Sequence, residues 1–315
     1  MQKSSNRDNV TLPPSNSISQ PFMHVSTLEA GTITLPMALY IQGASMAETA
    51  VCPSIAFLLE HSASGQRLVF DLGIRRDTDT LPPTVKDLIQ KYMPVEVPQS
   101  VAESLRKGGL EPSEVELVVL SHLHFDHIGD HNPFTKAKFI LGGGNQIKES
   151  LLSGYPTNAT SEMLSTSVPL DRTRFLDPSE FNTSIGPGLK AMDFFGDGSM
   201  YLIDAAGHMA GHMNILARTS SDGSWIYLAG DTAHDVRLLT GEKQVGEVPD
   251  PESETGEMIC GHDDKEVAIK HIEMVGSLME VPGVHVLIAH DRGWYEENKG
   301  GSAYFPGRIQ PKRLG

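Results

Sequence analysis

Short apolar runs bounded by Gly, Pro or Ser recur early in the chain, at Thr32–Tyr40, Ser54–Glu60 and Arg67–Asp71, and predict strands. Pro83–Tyr92 and Val101–Lys107 instead carry apolar residues at helical spacing, divided by the Pro-containing stretch Met93–Gln99, so two short helices form an insert. Glu116–Leu120 is apolar after its Glu, the pattern of a strand covered on both faces. A strand at Lys138–Leu141 is followed by three glycines, read as a flexible loop, and by a polar stretch to about Ser167 whose weak periodicity suggests a lid or surface insert. Strands return at Leu189–Asp193, Met200–Ala205, Met213–Ala217 and Trp225–Ala229. One amphipathic helix covers Asp264–Met279, and a last strand covers His285–Ala289. Strands dominate both halves, helices cluster, and there is no fixed repeat, which predicts an α/β fold of two packed β-sheets flanked by helices. A single domain over residues 21–315 accounts for all of it, preceded by a Ser-, Asn- and Pro-rich flexible arm at 1–20.

Composition narrows the function. The chain of 315 residues is 39% hydrophobic and 21% charged, a globular balance. Its formal net charge of −15, without basic tracts, argues against a nucleic-acid or anionic-membrane partner. No apolar run reaches the length of a signal peptide or a bilayer span, so a cytoplasmic location is the expectation. Only Cys52 and Cys260 are present, too few for a disulfide framework or a four-cysteine zinc site, so any metal must rely on His and Asp.

Such residues concentrate in Ser121–Asp130. His122 and His124 stand two apart at the end of a strand, where alternate side chains share a face and two imidazoles can meet one ion. Asp126 and His127 follow where the chain must turn, placed to face the same cavity and hold a second ion. Imidazole and carboxylate without thiolate suit Zn²⁺ first, with Mn²⁺, Co²⁺ or Fe²⁺ as alternatives. His208, Asp231 and His290 each follow a predicted strand, and loops at strand ends are where scaffolds gather functional side chains.

The order of these motifs resembles the metallo-β-lactamase superfamily, and SHLHFDHIGD resembles its N-acyl-homoserine lactonase branch. FDLG at 70–73, the HxHxDH run, GHxxGH, AGD and the terminal AHD all follow the family's order over nearly the whole chain. The resemblance implies an αββα sandwich holding two Zn²⁺ per chain, one on His122, His124 and His208, the other on Asp126, His127 and His290, with Asp231 bridging. Asp71 would orient a ligand imidazole, and Asp126 would carry protons. The implied reaction is the opening of a small cyclic ester or amide, a lactone or lactam, by attack of metal-activated hydroxide on its carbonyl. Where the lactonase branch has a Tyr shortly after the bridging Asp, this chain has His234, which replaces the phenol as a donor or serves a different substrate, such as a lactam whose leaving nitrogen needs an acid.

Other residues read more plainly. His24, His61, His131, His262, His271 and His285 are taken as surface or satisfied core residues, and His212 as packing behind the site. Met192, Met200, Met209 and Met213 read as core fillers, and Phe125 as either a core anchor or a substrate-facing wall. The competing functions are a thioesterase of the glyoxalase II kind, a nuclease, a redox enzyme, and a non-catalytic metal-binding module. The inserts at about 75–112, 145–185 and 235–262 would set the substrate, and a homodimer is compatible with the sequence.

Overall fold

In the computed structural model, which describes residues 10–15, 19–186, 188–250, 253 and 255–314, the apolar run before the histidines forms β7 (Leu117–Val119). β7 is buried at every position and pairs in parallel with β5 (Arg67–Phe70) and β8 (Lys138–Leu141). Beyond β8 lies β9 (Thr173–Phe175), and beyond β5 lie the antiparallel β4 (Ala56–His61) and β1 (Met23–Leu28). A second six-stranded sheet runs β10 (Thr183–Ile185), β11 (Leu189–Asp193), β12 (Met200–Asp204), β13 (Met213–Arg218), β14 (Trp225–Leu228) and β17 (Val284–Leu287). All its neighbours are antiparallel except the β14–β17 pair, whose strands run together with Leu228 opposite Leu287.

Strand alternation brings the two sheets together. Phe57, Leu59, Leu68 and Phe70 of the first meet Leu202, Ile215, Ile226 and Leu228 of the second in one apolar cluster. Each fully buried side chain of this size contributes about 1.5–3 kcal/mol. The outer face of the first sheet, with Val118 and Phe139, is covered by α2 (Val101–Lys107) and α3 (Gly144–Leu152) through Leu105, Ile147 and Leu151. Ile272, Val275 and Leu278 of α5 (Lys265–Leu278) cover Tyr227 and Val284 on the second. The layers are therefore helix, sheet, sheet, helix, as expected.

Local signals set the helix ends. Ser100 Oγ accepts from Glu103 N at 3.3 Å while the Glu103 carboxylate accepts from Ser100 N at 2.8 Å, a reciprocal cap that starts α2. Asp264 caps α5 through Val267 N at 3.0 Å. α1 (Pro83–Lys91) begins on its prolines. The remaining elements are α4 (Val236–Leu239), α6 (Arg292–Asn298), a small sheet of β3 (Thr49–Pro53), β2 (Thr32–Pro36) and β6 (Val95–Glu96), and the pair β15 (Val248–Pro249) and β16 (Met258–Ile259).

The differences from the sequence expectation have physical causes. The strand expected over Thr32–Tyr40 stops at Pro36, where Met37–Leu39 tighten into a 3-10 turn. β1 was not anticipated, because its buried Ser26 and Thr27 hide the apolar pattern; Ser26 Oγ donates to Gly307 O at 2.6 Å. The three glycines are not a free loop. Gly144 begins α3. A side chain at Gly142 would lie 2.3 Å from Gly211 O and one at Gly211 2.8 Å from Gly142 C, so the run allows two loops to pass closely. Of the arm expected at 1–20, residues 1–9 and 16–18 lie outside the described residues; Val10 and Leu12 pack on the second-sheet core. The Pro13 and Pro14 carbonyls accept from the buried Arg218 at 2.8 and 3.1 Å. No helix among the described residues is long and apolar enough to cross a membrane.

Behind the second sheet lies a buried polar network. The Asn214 amide donates to Ala229 O at 2.8 Å, and its oxygen accepts from Thr232 Oγ1 at 2.7 Å and His271 Nε2 at 3.3 Å. Burial pushes the His271 pKa down to about 4, from its usual 6.5. Between those values the unfolded chain binds a proton that the folded chain refuses, so stability falls as pH drops through the window, by about 3 kcal/mol in the limit. Urea midpoints measured from pH 7 to 4 are expected to show this decline, and His271→Gln, which keeps a donor but cannot charge, is expected to make it shallower. Equal slopes in the two proteins would refute the assignment.

Candidate metal centre

The site residues sit just beyond the C-terminal ends of strands from both sheets. Because β14 and β17 are parallel and in register, Asp231 and His290 each stand three residues past the paired Leu228 and Leu287, and they emerge side by side. From the first sheet, Asp71 follows β5, and Ser121–His127 follow β7. Met213 N donates to Ser121 O at 2.8 Å, joining the two sheets at the level of the site.

Asp71 organises the histidine loop. Its carboxylate accepts from Ser121 N at 2.7 Å, Ser121 Oγ at 2.8 Å and His127 Nδ1 at 2.9 Å. Its φ of 63° is the one left-handed value at a non-glycine among the described residues, a strained conformation held by these bonds. Asp71→Asn tolerates that backbone while removing the carboxylate, so metal affinity and kcat/KM are expected to fall about 10–100-fold, the usual loss for an outer partner of a ligand histidine. Metal titration of the purified variant checks this, and an unchanged affinity would remove Asp71 from the role.

The same logic fixes the other rings. His208 Nδ1 donates to Gly261 O at 2.9 Å and His290 Nδ1 to Pro53 O at 2.7 Å, while His122 Nδ1 lies 2.9 Å from Ser121 Oγ. With Nδ1–H turned outward, each ring presents its Nε2 lone pair inward. His122 Nε2, His124 Nδ1 and His208 Nε2 then stand 2.9–3.2 Å from one another. Burial holds His122 and His208 well below the usual imidazole pKa, so no proton is available to separate these lone pairs. A tetrahedral zinc site with nitrogens at about 2.0–2.1 Å spaces them roughly 3.3 Å apart, close to what is seen.

Asp126, His127, Asp231 and His290 form a second group, and in each group one ligand atom per residue lies within 4.8 Å of all the others. His127 Nε2 and Asp231 Oδ1, 3.2 Å apart, are buried without a hydrogen-bond partner. Burial alone would lower the His127 pKa, but the Asp231, Asp126 and Asp71 carboxylates prevail and hold it well above 6.5. Burial likewise opposes ionisation of Asp126, yet His127 and His290 bring it down to about 2. The cluster calls for positive charge at its middle, and the donor set fits divalent cations. Asp231 belongs to both groups.

The remaining expected residues fall around this centre. His234 Nε2 lies 3.1 Å from Asp231 Oδ2, its ring stacked on Tyr40 at 4.1 Å and on His290 at 5.3 Å, and burial lowers its pKa. His212 sits behind the site, donating through Nδ1 to Ala205 O at 2.9 Å and accepting from Asp231 N at 3.1 Å. Gly230, with φ +46°, leaves room for that contact, since a Cβ there would lie 2.8 Å from His212 Nε2. Phe125 both joins the second-sheet core and lines the cavity beside the centre, as does Met209 beside the first-sheet core.

Two participants escape the sequence reading. His262, expected as an ordinary core or surface residue, is buried in the cavity wall with its ring 5.3 Å from His208 and 5.4 Å from His234. Its loop is tied to the ligand loop by Asp263 N donating to His208 O and Asp264 N to Gly207 O, both at 2.9 Å. The one available signal was a third Gly-His pair, at 261–262, after those at 207–208 and 211–212. Ser54, which donates to Asp126 Oδ2 at 3.2 Å, carried no signal at all.

Residues 49–256 match the family model described as the metallo-beta-lactamase superfamily. The chain is 38% identical over 195 residues to the gamma-lactamase FDB1 of Fusarium pseudograminearum, covering 59% of this chain and 46% of that protein. It is also 30% identical over 310 residues to the cytochrome P450 monooxygenase mpaDE of Penicillium roqueforti, covering 91% of this chain, which thus spans only 36% of that relative's length. Among solved structures, an N-acyl homoserine lactone hydrolase superposes with a TM-score of 0.67 at 16% identity, over 91% of this chain and 98% of the other, which is a likeness of fold.

Proposed function

We propose, from the premise that the chain belongs to the metallo-beta-lactamase superfamily, that it is a metal-dependent hydrolase which opens a small cyclic ester or amide. The observation that carries this reading is the pair of ligand groups sharing Asp231 at the floor of one cavity. The gamma-lactamase similarity supports a ring substrate, and the lactone hydrolase shares the fold. Residues 21–315 act as one catalytic domain.

His122, His124 and His208 would hold one zinc ion, Asp126, His127 and His290 the other, and Asp231 both. Bound there, the ions acidify a water and polarise the substrate carbonyl. The protein's own contribution is orientation and proton handling. Ser54 occupies Asp126 Oδ2, leaving Oδ1 to take the nucleophile's proton and return it to the leaving oxygen or nitrogen. His234, uncharged because it is buried, carries its single N–H on Nε2, 3.1 Å from Asp231 Oδ2, and that same N–H is the donor offered to the substrate's developing oxyanion. His212 and Gly230 fix the Asp231 backbone so that its carboxylate stays on the shared edge.

The test is hydrolysis, by zinc-loaded protein, of a matched panel of lactones, γ- and β-lactams and acyclic thioesters. Ring substrates are expected to lead. A preference for thioesters would overturn the ring-opening reading, and turnover of no member would leave a metal-binding module.

A further inference from the structure

The cavity beside the centre measures about 560 Å³, within the roughly 300–1,000 Å³ of small-molecule sites. Its lining includes an apolar stretch, with Ile33 and Leu35 from β2 and Val85 and Leu88 from α1, and a neutral polar one, with Ser150, Ser153, Asn158 and Ser161. Among the described residues that line it there is no Lys or Arg. Apart from the centre's own aspartates, its charged groups are Glu162 and Asp263, both exposed. Asp263 is anchored, through its backbone bond to His208 O at 2.9 Å, at the edge of the ligand loop.

We propose that this cavity selects ring substrates by charge: it admits an uncharged, apolar body and refuses one that carries an anionic group away from the scissile carbonyl. The inference rests on the ring-opening reading and specifies its substrate class. A carboxylate on the body would leave water for a lining of apolar and neutral polar side chains among which no Lys or Arg can pair with it, and an unpaired charge there is costly. Glu162 and Asp263, exposed members of the same lining, add repulsion. Hydrolysis turns the selection into release. Water adds across the ring bond, its oxygen joins the acyl carbon, a proton goes to the leaving oxygen or nitrogen, and the new acid ionises to solvent. The product therefore carries a negative charge that the substrate lacked, and the same two carboxylates favour its departure.

The test uses aryl-fused γ-lactones bearing, on the ring edge remote from the carbonyl, either a methyl ester or a free carboxylate. kcat/KM on zinc-loaded protein is read beside the dissociation constants of the corresponding cyclic ketones, which have no bond to hydrolyse. The neutral member is expected to be favoured about tenfold or more in both readouts. The gap is expected to narrow several-fold at high salt, with Glu162→Gln plus Asp263→Asn, and with Glu162→Lys. Equal or better use of the carboxylate member by the wild type would overturn the proposal, as would a gap that neither the variants nor salt change. Ketone binding that keeps the preference while no lactone is turned over would sustain the charge selection and sink the ring-opening reading.

Discussion

Asp231→Asn is expected to lower kcat/KM on the preferred ring substrate by roughly a thousandfold and to cut bound zinc from two equivalents to one or fewer. The substitution keeps shape and removes charge. Asp231 Oδ2 lies 3.5 Å from His208 Nε2 and 3.2 Å from His290 Nε2, while Oδ1 faces His127 Nε2 at 3.2 Å, so one carboxylate serves both groups. The surrounding histidines hold Asp231 below the ordinary carboxylate pKa against the opposing effect of burial, so the site favours that negative charge. An amide offers one neutral oxygen and an N–H that meets the cluster's lone pairs. Its backbone, still bound to His212, should leave the fold intact, and circular dichroism beside metal analysis separates the two effects. Full activity with two zinc ions retained would remove Asp231 from the centre.

Removing the metal is expected to have the second large effect, on stability as well as on activity. Without ions the centre buries three facing imidazole nitrogens and the Asp126 and Asp231 carboxylates in one small volume. Ions that bind only the folded chain stabilise it by about 4 kcal/mol at a thousand times their dissociation constant, equivalent to a Tm shift of about 6 °C for a chain of this size. Treatment with a chelator should therefore abolish turnover and lower Tm by about that much, and zinc should restore both. A Tm indifferent to the chelator would count against a buried metal pair.

The sequence carried most of the second sheet and most of the site. Lys138–Leu141, Leu189–Asp193 and the helix Val101–Lys107 appear with the boundaries that periodicity predicted, because their apolar residues repeat at the spacing of one buried face. His122, His124, Asp126, His127, His208, Asp231 and His290 were legible because each follows an apolar strand and their residue types suit one chemistry. β1 was missed since its buried Ser26 and Thr27 interrupt the apolar pattern, and the bond that satisfies Ser26 Oγ, to Gly307 O, is one that no local pattern records. The glycines at 142–144 do not form a flexible loop because Gly142 packs against Gly211, a residue far along the chain, while Gly144 starts α3.

What the sequence determined by itself, then, is most of the central strands, the layered architecture and the identity of the candidate ligands, all written in short-range periodicity and residue type. Only the tertiary structure decided which side chains share an edge, that Asp231 stands in both groups, that His262 and Ser54 join the site, and that the cavity holds no cation among its described lining. The reason is geometric. A strand's own side chains reveal which face is buried, but the meeting of two sheets depends on register, crossover and the close passage of loops, and those are contacts between residues far apart in the chain, 237 positions for His290 and Pro53.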